Sequence, residues 1–195
     1  MGAAQPLLLG LLHRAGHLLQ VGGRQRGVVN LLGALWGVQA VVPHLREQGS
    51  GHILQVTSMA TGSSGGVASV GLYGAGKAAL DAMSESLAME VDPFGIAVTV
   101  VQPGGYETGL FTQGTTVTDE NAAYAPLRAR LAEMWSASYD ADPHRAAPVV
   151  MEVVDMAGPP RRVILGGVAY DQVRELDRAR AEEQAKWEHL SRAAD

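Results

Sequence analysis

An α/β fold built on a parallel sheet is predicted by three observations. Short β-branched runs alternate along the chain with longer stretches whose apolar residues recur at helical spacing. One of those runs, IAVTVVQ at 96–102, is apolar almost throughout, as strands buried on both faces of a parallel sheet are. The chain has 195 residues, 47% apolar and 18% charged, enough to bury the core of one such domain.

The elements follow in order. A helix from Val28 to about Leu45 is carried by Leu31, Leu35, Val38, Val42 and Leu45; Leu32 and Trp36 add a second apolar flank, which predicts cover on more than one side. Gly51-His52 introduces the strand ILQVTS, ending in the small polar residues Thr57 and Ser58, and a Gly/Ser loop follows at 61–66. Good helix formers predict a helix over 73–91, stopped by Asp92-Pro93 and Gly95. The strand at 96–102 ends at Pro103-Gly104-Gly105. A Thr-rich loop at 112–119 leads to helices near 121–136 and 143–157, then to the strand RRVILGG at 161–167. The last helix, from about Tyr170, is loaded with Arg and Glu and reads as a solvated surface; Trp135 and Trp187 read as packing anchors. Residues 1–27 show no clean strand or cap and form an unassigned leader.

Composition excludes several functions. A net charge of -5 with no basic cluster argues against a nucleic-acid binder. Cysteine is absent, which removes disulfides and thiolate metal sites. The apolar run PLLLGLL at 6–12 is too short to span a bilayer and follows no positive charge, so the expectation is a soluble, cytoplasmic protein. His13 and His17 share a helical spacing but lack a third ligand, so no metal site is expected. Gly62, Ser64 and Gly66 spell a nucleophile elbow in a place where no strand runs directly into a helix, which favours a plain loop.

The stretch GLYGAGK at 71–77 admits three readings. A P-loop needs a hydroxyl after its lysine to hold magnesium, and Ala78 stands there. A dinucleotide-binding turn must leave a buried strand, and Ala68-Ser69-Val70 is a poor one. The third reading pairs Tyr73 with Lys77, four residues apart on one helix face. A free phenol holds its proton up to about pH 10, and a neighbouring ammonium favours the phenolate. Such a pair suits proton exchange at a carbonyl or alcohol. Lysine occurs only twice in the chain, and one copy falls at this spacing.

With these neighbours the chain resembles the classical short-chain dehydrogenases/reductases, from about Val29 to the C-terminus. Asn30-Leu-Leu-Gly33 looks like the family's helix asparagine motif, and Gly51 to Ser58 like the strand ending in its serine. Tyr73-Gly-Ala-Gly-Lys77 matches the active-site motif; Pro103-Gly104 with Thr108 matches the segment at the nicotinamide end of the cofactor. The resemblance implies a partial Rossmann-like, doubly wound sheet over residues 28–195, and NAD or NADP as cofactor. Tyr73 would be the general acid and base, with Lys77 lowering its pKa and binding the nicotinamide ribose. Ser58 would hold the substrate oxygen and Asn30 anchor a relay water. Cofactor contacts would come from Tyr73, Lys77, Pro103, Gly104 and Thr108. The implied partners are a small carbonyl or alcohol substrate and a second copy of the chain, paired through helices 28–45 and 73–91.

One departure is large. The family's opening strand, glycine-rich cofactor turn and Asn-Asn-Ala-Gly segment are not found in residues 1–27, which cannot hold the missing strand–helix units at about 30 residues each. The reading is therefore an N-terminally truncated oxidoreductase interconverting a ketone or aldehyde with an alcohol. The alternatives are an impaired relative acting through helix-mediated dimerisation and a gene-model fragment. Three strands with an unprotected edge are expected.

Overall fold

The computed structural model describes residues 29–61, 68, 70–108, 121–136 and 140–194. The leader and the loop residues Gly62, Ser64 and Gly66 lie outside the described residues. A π-helical turn, Val29–Gly33, leads into α1, Ala34–Gln48. There follow β1 (Gly51–Val56), α2 (Gly71–Val91), β2 (Ile96–Pro103), α3 (Ala125–Ser136), α4 (Ala146–Asp155), β3 (Arg162–Leu165), α5 (Gly167–Lys186) and α6 (Glu188–Arg192).

The three strands form a parallel sheet in the order β1-β2-β3, with Gly51 opposite Ile96 and Val100 opposite Arg162. The apolar run predicted to be central is central: Val98, Val100 and Val101 of β2 are all buried. Both side strands pair on one side only among the described residues, so β1 keeps the expected open edge. On one face of the sheet Leu87, Ala88 and Val91 of α2 pack with Val38 of α1, Ile96 and Val98, and Val42, Leu45 and Ile53 close the cluster. The turns that start β1 and β2 touch: Gly95 has φ +70, and a Cβ there would stand 2.7 Å from the Gly49 carbonyl oxygen. Glycine is required at that position on both counts.

Polar side chains brace the buried strand. Thr99 is fully buried and its hydroxyl donates to the Pro160 carbonyl at 2.6 Å. Its single proton is thereby used, so the 2.8 Å contact with His52 is one in which Nε2–H donates. Burial pushes the His52 imidazole pKa down, in keeping with a neutral ring.

Several expectations are corrected. The helix at 28–45 does not run as one α-helix; it opens with the π turn and extends to Gln48, where Gly49 in the left-handed region caps it. Its second flank is covered only in part: Leu32 is half-buried in the π turn, whereas Trp36 is 51% exposed. The helix at 73–91 begins two residues earlier, at Gly71, since the Gly74 amide already reaches the Val70 carbonyl. Trp135 and Trp187 are exposed rather than buried anchors; the Trp187 indole donates to Glu183 at the end of α5. The C-terminal helix is a solvated surface as expected, burying only Ala169 and Val173.

Candidate active site

β1 ends at Val56, but the chain stays tied to β2 beyond it. The Thr57 amide donates to the Val101 carbonyl at 2.8 Å and the Met59 amide to that of Pro103 at 3.1 Å. The next residues close a tight turn in which the Thr61 amide and hydroxyl both donate to the Ser58 carbonyl, at 3.1 and 2.6 Å. Ser58 Oγ accepts the Ala60 amide at 3.2 Å, the local bond that makes serine a turn former. Among the described residues no acceptor takes the hydroxyl's own proton. Thr57 is distinguished from Ser58 by its surroundings: its hydroxyl is buried, 3.4 Å from both the Asp81 carboxylate and the Val101 carbonyl.

Tyr73 and Lys77 sit in the first two turns of α2. Lys77 reaches across to β1, where Nζ donates to the Val56 carbonyl at 2.8 Å, two residues before Ser58. Burial lowers the Lys77 pKa. Tyr73, one turn earlier on that face, is 40% exposed and makes no hydrogen bond among the described residues. Asn30 lies half-buried in the π turn, which packs against α2. A π turn at this point has no sequence signature, and such turns often mark functional positions. The structure thus brings Lys77 and the Ser58 turn to one strand end, with Tyr73 one turn before Lys77 on α2 and Asn30 on an adjoining element. No direct hydrogen bond joins the four side chains to one another among the described residues.

Pro103 and Gly104 spend their polar groups on the fold: the Pro103 carbonyl accepts from Met59, and the Gly104 amide donates to the Leu165 carbonyl at 3.0 Å. A Cβ on Gly104 would stand 2.6 Å from the Ala169 methyl. Thr108 is exposed with its hydroxyl unengaged among the described residues. The donor set fits the nicotinamide-ribose half of a dinucleotide, since Lys77 keeps two ammonium protons after the bond to Val56. No glycine-rich pyrophosphate turn occurs among the described residues: the glycines of GLYGAGK belong to α2, which also disposes of the P-loop reading.

Sequence reasoning missed Asp81. It lies in α2 one turn beyond Lys77 and is 5% exposed. Arg162 of β3 grips it with two bonds, Nη1 to Oδ2 at 2.8 Å and Nη2 to Oδ1 at 2.6 Å, and also binds Glu85. Gln102 of β2 donates to Oδ2 at 3.0 Å. Burial alone would raise the Asp81 pKa; the hydrogen bonds and charge of Arg162, with Gln102, outweigh it and hold the pKa below the usual carboxylate value. A cavity of about 260 Å³ opens beside this network, bordered by Thr61, Gln102, Arg162, Tyr170 and Asp177, and none of Tyr73, Lys77 or Ser58 borders it. The available signal was a lone carboxylate in the otherwise small and apolar run AALDAM.

Comparison with known proteins gives a consistent answer. The profile of the short chain dehydrogenase family matches residues 24–118. Oxidoreductase BOA17 of Botryotinia fuckeliana is 34% identical over 168 residues, 85% of this chain and 61% of that protein. The crystal structure of a short-chain dehydrogenase from Streptomyces avermitilis superposes with a TM-score of 0.76 at 36% identity, covering 88% of this chain and 62% of its own. A short chain dehydrogenase from Burkholderia cenocepacia, in complex with NADP, shares the fold with a TM-score of 0.59 at 21% identity, over 89% of this chain and 62% of that one. The chain spans about three fifths of the length of these relatives. Its three-stranded parallel sheet is the corresponding part of their Rossmann-like fold, and the chain belongs to the short-chain dehydrogenase/reductase family.

Proposed function

We propose that residues 28–195 are the catalytic and C-terminal portion of an NAD(P)-dependent oxidoreductase that interconverts a ketone or aldehyde with an alcohol. The observation that carries this is the Lys77 bond to the Val56 carbonyl, which docks the helix face bearing Tyr73 onto the strand end bearing Ser58. In reduction, Ser58 donates its free proton in a hydrogen bond to the substrate oxygen, and Tyr73 gives that oxygen the proton it needs as the carbon is reduced. In oxidation Tyr73 takes the proton back. Lys77 turns its remaining N–H groups to the nicotinamide ribose, and Asn30 holds a water that resupplies the proton. Pro103, Gly104 and Thr108 would contact the nicotinamide end of the cofactor. The cofactor, NAD or NADP, supplies or accepts the hydride.

Titration of the purified chain with NADH and with NADPH, followed by protein fluorescence, tests the reading. Saturable binding of at least one is expected; no binding of either at millimolar concentration contradicts it. We further propose a homo-oligomer through helices 28–45 and 73–91, supported by the exposure of Trp36 on α1 and of Leu72 and Met89 on α2. Sedimentation equilibrium should show a dimer. A dimer that binds neither nucleotide would favour the non-catalytic, association-only reading.

A further inference from the structure

We infer that Asp81 is a positioning residue that fixes the helix bearing Tyr73 and Lys77 against the turn bearing Ser58. This rests on the oxidoreductase reading for its catalytic consequence, and on geometry alone for its mechanical one. Tyr73, Lys77 and Asp81 follow at intervals of four on α2, so the third residue shares the face of the other two. Lys77 makes a single bond to the end of β1, and the apolar packing of Leu87, Ala88 and Val91 holds the far half of the helix rather than the end that bears Tyr73. Asp81 supplies a polar anchor beside Lys77: it meets Gln102 of β2, Arg162 of β3 and, just beyond the end of β1, the hydroxyl of Thr57.

The bonds form a directed chain. A carboxylate only accepts, so Gln102 must present its Nε2 to Asp81 Oδ2 at 3.0 Å. The other proton of the same amide points to Thr61 Oγ1 at 3.2 Å. Thr61 has one hydroxyl proton, and the Ser58 carbonyl at 2.6 Å takes it ahead of Asp81 Oδ2 at 3.3 Å. The carboxylate on α2 therefore sets the Gln102 amide, the amide sets the Thr61 hydroxyl, and the hydroxyl sets the peptide of Ser58. Arg162 keeps the carboxylate ionised and fixes its plane by bidentate contact. Removing the charge loosens every later link without touching a group that meets the substrate.

The test uses two variants and two readouts on the full chain. Thr61→Val cuts the last link and leaves the buried ion pair intact; Thr61→Ser keeps the hydroxyl and should rescue. Asp81→Asn cuts the first link. With p-nitrobenzaldehyde and whichever of NADH or NADPH binds, Thr61→Val should lower kcat about tenfold, the value of one lost hydrogen bond, with KM for the nucleotide changed less than about twofold. Thr61→Ser should return kcat to within about twofold of the parent. Amide hydrogen exchange gives a readout independent of turnover: Thr61→Val and Asp81→Asn should each speed exchange at Met59, Ala60 and Thr61 about tenfold, leaving residues 53–55 of β1 unchanged. If the parent chain turns nothing over, the oxidoreductase reading fails and exchange still decides the positioning role. Turn amides as protected in the variants as in the parent, or exchange that rises equally in turn and strand, would overturn it. So would a kcat loss in Thr61→Val that Thr61→Ser does not restore.

Discussion

Gly104 offers a prediction that can be worked from the coordinates. It belongs to the segment proposed to contact the cofactor, and a methyl there would lie 2.6 Å from the methyl of Ala169 and 3.4 Å from the Leu165 carbonyl oxygen. Neither neighbour can swing aside: one is a Cβ on α5, 3% exposed, and the other is backbone at the end of β3. Gly104→Ala should therefore cost about 1–3 kcal/mol by overpacking. Ala169→Gly alone should cost about 1 kcal/mol in helix propensity and lost burial. Combined, the methyl at 104 fills the space vacated at 169. The double variant should then be more stable than the sum of the singles by about 1–2 kcal/mol, with relief incomplete because the Leu165 contact remains. Urea unfolding at neutral pH, followed by tryptophan fluorescence, measures all four corners of the cycle. Additivity within about 0.5 kcal/mol would refute the reasoning and would mean that α5 does not rest on this loop.

Three further outcomes are expected. The Asp81 pKa is depressed in the folded chain, so its contribution to stability is present above the ordinary carboxylate value of 3.8 and is lost as pH falls through the folded value. The urea midpoint should thus fall less steeply in Asp81→Asn than in the parent between about pH 5 and about pH 3; parallel curves would contradict this. Thr99→Val keeps the shape but strands the Pro160 carbonyl and the His52 N–H, and should cost about 1–3 kcal/mol in thermal unfolding; a change under about 0.5 kcal/mol would exclude the bonding pattern. Lys77→Met gives up one bond to Val56 but also the cost of a half-buried charge, so stability should stay within about 1 kcal/mol while turnover falls at least about a hundredfold; comparable losses in both would make Lys77 a structural residue.

How much of this could be read from the chain depends on the range over which each feature is decided. β2 was legible because Ile96 to Val101 are dominated by apolar and β-branched residues, and central burial needs nothing else. Tyr73 and Lys77 were legible because a helix turns their spacing into a shared face. Asp81 was not, since its partners Gln102 and Arg162 lie 21 and 81 residues away and are brought to it only by the pairing of β2 with β3. The π turn at Asn30 was hidden for a different reason: Val29 to Gly33 contains no proline or cap that distinguishes it from an α-turn. Trp36 shows the limit of periodicity, which marks an apolar flank without saying what covers it.

The proton-transfer role proposed for Tyr73 is tested most directly by single-turnover oxidation of the bound reduced nucleotide by p-nitrobenzaldehyde, in the parent chain and in Tyr73→Phe. The parent should consume one nucleotide per chain, while the variant binds the nucleotide with similar affinity and reacts at least about a thousandfold more slowly, in line with the loss of a general acid. A variant that reacts as fast as the parent would show that the phenol of Tyr73 moves no proton in this protein.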